Sequence, residues 1–210
     1  MILCKNLIVV MIGSMLMVPV LQAASNIVLP PPQKTGGMPL MEALEKRRSG
    51  RQFMSRELSP QILSNLLWAA CGINRDDGRR TAPTASNRQE IEVYVAMKDG
   101  AYAYVPAMNI LQRVVSADIR KDTGKQGFVS DAPVVLVFTA DYDRMSSNTK
   151  DLYAAVDTGY VSQNVYLYCA SAGLETVVLG MVDRDALHAA LGLAKNKKIM
   201  FTQPVGYAVP

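Results

Sequence analysis

Glu45–Phe53 reads EKRRSGRQF, which sets Lys46, Arg47, Arg48 and Arg51 around one small hydroxyl residue, Ser49, and one glycine. Two readings fit the cluster by itself: a solvated basic helix end, or a seat for an anion. The chemistry of the second is specific. Guanidinium forks and a hydroxyl suit an anion, and charged hydrogen bonds contribute about 1.5–3 kcal/mol each. Gly50 lets the backbone turn between donors. Upstream, Leu40, Ala43, Leu44 and Arg47 recur at helical spacing, so a first helix is expected to end at the cluster. Residues 25–39 carry Pro30, Pro31, Pro32, Gly36 and Gly37 and read as a tether without regular structure. Before them, one cation, Lys5, precedes an apolar run from Leu7 to Leu21 and then the small or polar Gln22–Ser25. Residues 1–24 therefore read as a secretory signal peptide, and the expected location is exported, periplasmic. The run also lies near the lower limit for spanning a bilayer, so an uncleaved membrane anchor stands as the alternative.

Downstream, Ser59-Pro60 offers an N-cap and an N1 proline for a helix with Ile62, Leu66, Ala69 and Ala70 on one face, stopping at Gly72. Residues 74–87 are rich in Asp, Gly, Arg and Thr and read as loop. Ile91 to Met97 alternates as a strand does, and Asp99-Gly100 turns it into "AYAYV" as a hairpin. The apolar run "APVVLVFTA" behaves as a strand covered on both faces. Asp151 to Ala172 is the longest expected helix, with Leu152, Val156, Gly159, Gln163, Tyr166 and Ala170 on its buried face and Gly173 at its end. "ETVVLG" and "IMFTQPVGYAV" are further strands, separated by a short helix, Arg184–Leu191, capped by Asp183. The fold class is α+β, a sheet buried between helices.

Composition removes several classes of function. The net charge is +4 over 210 residues, with no long positive run and no aromatic platform beside the arginines, which argues against nucleic acid. One histidine, His188, and no CxxC argue against a zinc site or a Ser-His-Asp triad. His188 sits on a polar-flanked helix and is expected to be exposed. Cys71 and Cys169 stand in apolar helical contexts that favour buried free thiols, with mutual pairing the alternative in an oxidising compartment.

Three segments in order carry more than any one of them: "RRSGR" after the first helix, "PTASNRQ" before the first long strand, and "GLETVVLGM" after the longest helix. The set resembles the nitroreductase family of FMN-dependent oxidoreductases over residues 40–210. The resemblance implies a mostly antiparallel central sheet flanked by helices and a homodimer with FMN at its interface. Carried over, Arg47, Arg48, Ser49 and Arg51 match the signature for the FMN phosphate, ribityl chain and ring edge. Pro83, Thr84, Ala85, Ser86 and Asn87 match the loop that reaches the flavin from the partner subunit. Val178, Leu179, Gly180 and Met181 match the stretch against the ring, its amides toward the N5 edge. Asp157 lies where members often place a polar residue near the ring, while Gln163 and Asn164 are expected to fix the central helix. Two departures stand out. Many members have Pro-Trp where this chain has Glu90-Ile91, and many carry a C-terminal cation that "VGYAVP" lacks, which puts more of the phosphate on Arg47 and Arg51.

No catalytic side chain is assigned, because a flavin carries its own electrons. The implied function is transfer by alternating half-reactions from a donor to a small nitroaromatic or quinone acceptor. The alternative is an exported flavin-binding protein without turnover. NAD(P)H is the donor of most relatives, yet an exported chain would meet little of it, so a quinol or a redox partner protein is the expected donor.

Overall fold

A computed structural model of the protein describes residues 26–146 and 148–209. The expected signal peptide, residues 1–24, lies outside the described residues. Seven strands form one sheet, and every recorded pairing in it is antiparallel. In chain order they are β1 (Ile27–Val28), β2 (Ile91–Met97), β3 (Gly100–Val105), β4 (Ile110–Val115), β5 (Val134–Asp141), β6 (Leu174–Thr176) and β7 (Lys197–Tyr207). Across the sheet the order is β1-β4-β3-β2-β5-β7-β6. The helices are α1 (Leu40–Lys46), α2 (Pro60–Cys71), α3 (Lys150–Ala172) and α4 (Arg184–Ala190). Among the described residues no helix is long and apolar enough to cross a membrane.

The central strands show why β5 reads as an unbroken apolar run. Val93, Val95, Leu136 and Phe138 face α2 and α3, where Leu66, Leu67, Ala70, Val161 and Val165 complete one core. Tyr94, Ala96, Val135 and Val137 face the other way, onto Val177, Leu179, Leu187 and Ile199. Side chains alternate along a strand, so a strand covered on both sides is apolar at every position.

The caps form as expected. Ser59 Oγ accepts from Ile62 N–H at 3.3 Å, and Gly173 ends α3 at φ 67°, where glycine carries no Cβ penalty. Asp183 Oδ1 accepts from Ala186 N–H at 3.1 Å. Cys71 and Cys169 are buried free thiols.

Several expectations are corrected. Residues 25–39 are no loose tether where described. Ile27 and Val28 pair with β4, Leu29 is buried, and the prolines, lacking N–H groups, are held through their carbonyls. Pro30 O accepts from Ser64 Oγ and Asn109 Nδ2, and Pro31 O from Gln61 Nε2. β4 had no assignment from sequence; its polar Gln112 and Arg113 conceal it. The α3 face is the largest difference. Of the six residues expected to be buried only Tyr166 is; the helix instead buries Ala154, Asp157, Thr158, Val161, Ser162, Val165, Tyr166 and Cys169. Its polar members are satisfied inside: Ser162 Oγ donates to Gln203 Oε1 at 2.8 Å, and Thr158 Oγ1 to Ala154 O at 2.6 Å. Gln163, expected to fix this helix, is exposed. Finally, His188 is half-buried, its Nε2 set 3.2 Å from Ala194 O and 3.1 Å from Lys197 O.

Candidate functional site

The basic cluster leaves α1 as an extended segment along the free side of β6. Gly50 N–H donates to Thr176 O at 3.0 Å, and Phe53 bridges Ala208. A side chain at residue 50 would not fit: a Cβ there would fall 1.1 Å from Glu175 Oε2. Glu175 is nearly buried and takes Arg48, with Nη2 at 2.5 Å and Nε at 3.1 Å. Arg48 is thus committed to a carboxylate. Arg47 is not. Its guanidinium lies over the Tyr166 ring at 5.4 Å, and none of its N–H groups has an acceptor among the described residues. Arg51 reaches only Ser49 O, at 3.4 Å.

Tyr166 joins two of the three segments. Its hydroxyl lies 3.0 Å from Ser49 Oγ and accepts from Val178 N–H at 2.9 Å. Sequence reasoning placed Tyr166 only on the buried face of α3. Nothing in its local pattern announces that its polar tip spans two distant loops. Two open clefts, of about 510 and 340 Å³, share Arg48, Glu175 and Ala208 as walls; Arg47 and Tyr166 line the larger, and Gly50 and Arg51 the smaller.

In Val178–Met181 the amides divide. Val178 N–H is spent on Tyr166 and Leu179 N–H on Thr202 O at 2.8 Å, while Leu179 itself is buried. The N–H groups of Gly180 and Met181 have no acceptor among the described residues, and both residues are exposed.

The third segment lies elsewhere. Ala85 N–H donates to Asp157 Oδ2 at 2.9 Å, nine residues before Tyr166 on α3, or about 13 Å along the axis. Thr84 Oγ1 accepts from Gln89 N–H at 2.9 Å, and Asn87 Oδ1 from Gln89 Nε2 at 3.2 Å. Pro83 and Ser86 are exposed. Ser86, Asn87 and Gln89 have φ of 54°, 53° and 52°, left-handed values uncommon without glycine. Asp157 is 2 % exposed and Glu90 fully buried. Burial first, then the facing Asp157 carboxyl, pushes Glu90 up to about 7. Among the described residues no cluster of three or more His, Cys, Asp or Glu side chains is placed to hold a metal.

The donor set suits a flavin mononucleotide: a free guanidinium at Arg47, one at Arg51 that reaches only Ser49 O, a hydroxyl at Ser49, and free amides at Gly180 and Met181. Comparison with known proteins agrees with this chemistry. Residues 44–207 match the model of the Nitroreductase family. A protein of Methanocaldococcus jannaschii named as a nitroreductase is 34 % identical over 180 residues, which cover 80 % of this chain and 90 % of that one. A Vibrio harveyi protein named NADPH-flavin oxidoreductase is 26 % identical over 140 residues, 60 % of this chain and 58 % of its own length. Among solved structures, a nitroreductase-type protein from Ralstonia eutropha JMP134 superposes with a TM-score of 0.85 at 40 % identity, covering 90 % of this chain and 92 % of that one. With its three motifs, its antiparallel sheet and these relatives, this chain belongs to the nitroreductase family and is a flavin-dependent oxidoreductase.

Proposed function

We propose that this chain holds FMN with Arg47, Arg51 and Ser49 at the phosphate end and Gly180 and Met181 against the ring. It passes electrons from a donor to a small organic acceptor of the nitroaromatic or quinone type. The observation that carries the reading is the Tyr166 hydroxyl, which ties Ser49 to Val178 and so sets the anion seat and the ring-side amides at one fixed separation. The bound flavin supplies the two-electron chemistry. The protein's own part is to bind and orient. Arg48 keeps Glu175 neutralised beside the seat, so that its carboxylate does not repel a phosphate.

The functional unit is a homodimer. One side of α3 exposes Leu152 (60 %), Val156 (42 %) and Tyr160 (46 %), and Leu40, Met41 and Leu44 are exposed on α1, which packs against α3. A two-fold pairing of such a face is self-complementary. Within one chain the Pro83–Asn87 loop sits some two turns of α3 from Tyr166, so it serves the flavin held by the second copy, offering Asn87 Nδ2, which has no acceptor among the described residues.

The protein works outside the cytoplasm, on the reading of residues 1–24. The Vibrio harveyi relative is named for NADPH. For an exported chain the donor is a quinol or a reduced protein partner instead. Purified protein is expected to be yellow, to bleach anaerobically under a suitable reductant and to be reoxidised by a nitroaromatic. Failure to take up FMN overturns the flavin site. Cytoplasmic fractionation, or rapid saturable reduction by NADPH in stopped flow, overturns the export-linked donor.

A further inference from the structure

Beneath the Pro83–Asn87 loop lie two carboxyl groups that electron transfer does not use. Glu90 precedes β2 and Asp157 comes from α3, and both are buried. As two carboxylates they have only acceptors to offer each other, and neither oxygen of Glu90 finds a donor among the described residues. A buried charge facing a like charge is costly. One proton removes the conflict, since a protonated Glu90 donates to Asp157, whose Oδ2 already accepts from Ala85 N–H.

The surrounding charges do not replace that proton. Arg88, at the end of the loop, favours the carboxylate but is outweighed by burial and Asp157. Arg80 Nη1 is spent on Ile91 O, at 2.8 Å. Arg144 Nη1 is spent on Gln89 O at 3.0 Å, and its remaining nitrogens lie near Glu92 and Asp141. The loop above has two residues at left-handed φ, Ser86 and Asn87, and Gln89 just beyond it is a third, so its shape depends on what holds it, and the Ala85–Asp157 bond is its tie to α3.

We propose that Glu90 and Asp157 share one proton and act as positioning residues for the Pro83–Asn87 loop, so that the loop's grip on flavin weakens when the proton leaves. With both groups charged, the pair separates, and Asp157 carries Ala85 with it. The link to flavin rests on the site proposed above; the shared proton does not.

Two measurements on the full chain test this. The first is infrared spectroscopy of the flavin-free protein. A protonated-carboxyl C=O band is expected below pH 7, lost as pH rises through 7 and absent in Glu90→Gln. No such band overturns the shared proton. The second is titration with FMN below and above pH 7 in the native chain and in Glu90→Gln, whose amide keeps a donor toward Asp157 at every pH. The FMN phosphate titrates identically against both, so their ratio isolates the pair. Native affinity is expected to fall relative to Glu90→Gln as pH rises, by up to about tenfold per pH unit, the limit for one linked proton. A constant ratio overturns the link between the pair and the loop. Should Glu90→Gln not fold, Asp157→Asn serves: it removes the like charge and is expected to move the pH dependence to lower pH. A chain that takes up no FMN overturns the flavin site, and the pair is then judged by the band and by the protection of the Ala85 amide from hydrogen exchange, taken relative to an unstructured amide at the same pH; protection is expected to fall above pH 7, and protection that ignores pH overturns the proposal.

Discussion

The Tyr166 hydroxyl carries one proton and serves two neighbours, accepting from Val178 N–H and meeting Ser49 Oγ. Tyr166→Phe keeps the ring under Arg47 but leaves both groups without that partner. Urea unfolding is expected to show a loss of about 1–2 kcal/mol, the scale of two net hydrogen bonds, with weaker FMN binding. Arg47→Ala separates the two effects. Its guanidinium bonds nothing in the described protein, so stability should hardly move, while calorimetric titration should show FMN weakened by about 1.5–3 kcal/mol. Gly50→Ala acts through space: its Cβ must displace Glu175, and with it the grip on Arg48, so the melting temperature is expected to fall. The arginines and Ser49 offered an anion seat as one of two readings because residue type alone states their chemistry. The division of labour among them was not, since Glu175 lies 127 positions from Arg48.

At the scale of elements, the helix ends were the most readable features. Ser59-Pro60 starts α2 and Gly173 ends α3 because capping uses neighbours within four residues. Ser59→Ala is therefore expected to cost about 1 kcal/mol in thermal or urea unfolding. Strand ends were less readable. The run "ETVVLG" looks continuous, yet β6 stops at Thr176, after which Val178 turns to Tyr166 and Leu179 bridges Thr202. The departure from the sheet is what frees Gly180 and Met181. In β4, Gln112 and Arg113 interrupt the apolar period, and only pairing with β3 and β1 reveals a strand.

For the whole molecule two quantities respond to the exposed helix face and the buried acid pair. Val156→Asp places a charge in the middle of the exposed apolar side of α3. Light scattering is expected to report a monomer, with flavin lost at the same time if, as proposed, each site draws on the second copy. Proton linkage gives the other. Glu90 has its folded pKa raised from 4.5 to about 7, so the folded chain holds a proton there that the unfolded chain has released. Stability from this group is fully present below pH 4.5, falls as pH rises toward 7 and is level above it. Calorimetric melting across that window is expected to show the fall in the native chain and its loss in Glu90→Gln, which should be the more stable of the two above pH 7.

Sequence by itself determined the elements whose causes are local, such as the capped helices, the twice-covered β5 and the Asp99-Gly100 hairpin. It also determined the ordered motifs that mark the family. Tertiary structure alone decided which side of α3 faces inward. Its periodicity offers an apolar side at Leu152 and Val156 and a mixed one at Asp157, Thr158 and Ser162, and an apolar side suits a core or a subunit contact equally well. The choice fell to partners far along the chain, among them Gln203 for Ser162 and the Ala85 amide for Asp157. The same holds for residues 26–39, where prolines read as breakers but bond through their carbonyls, and for Glu90 and Asp157, whose shared burial exists only once β2 meets α3. Local pattern records which groups a residue offers; the fold decides which of them are met by protein and which are left for a ligand.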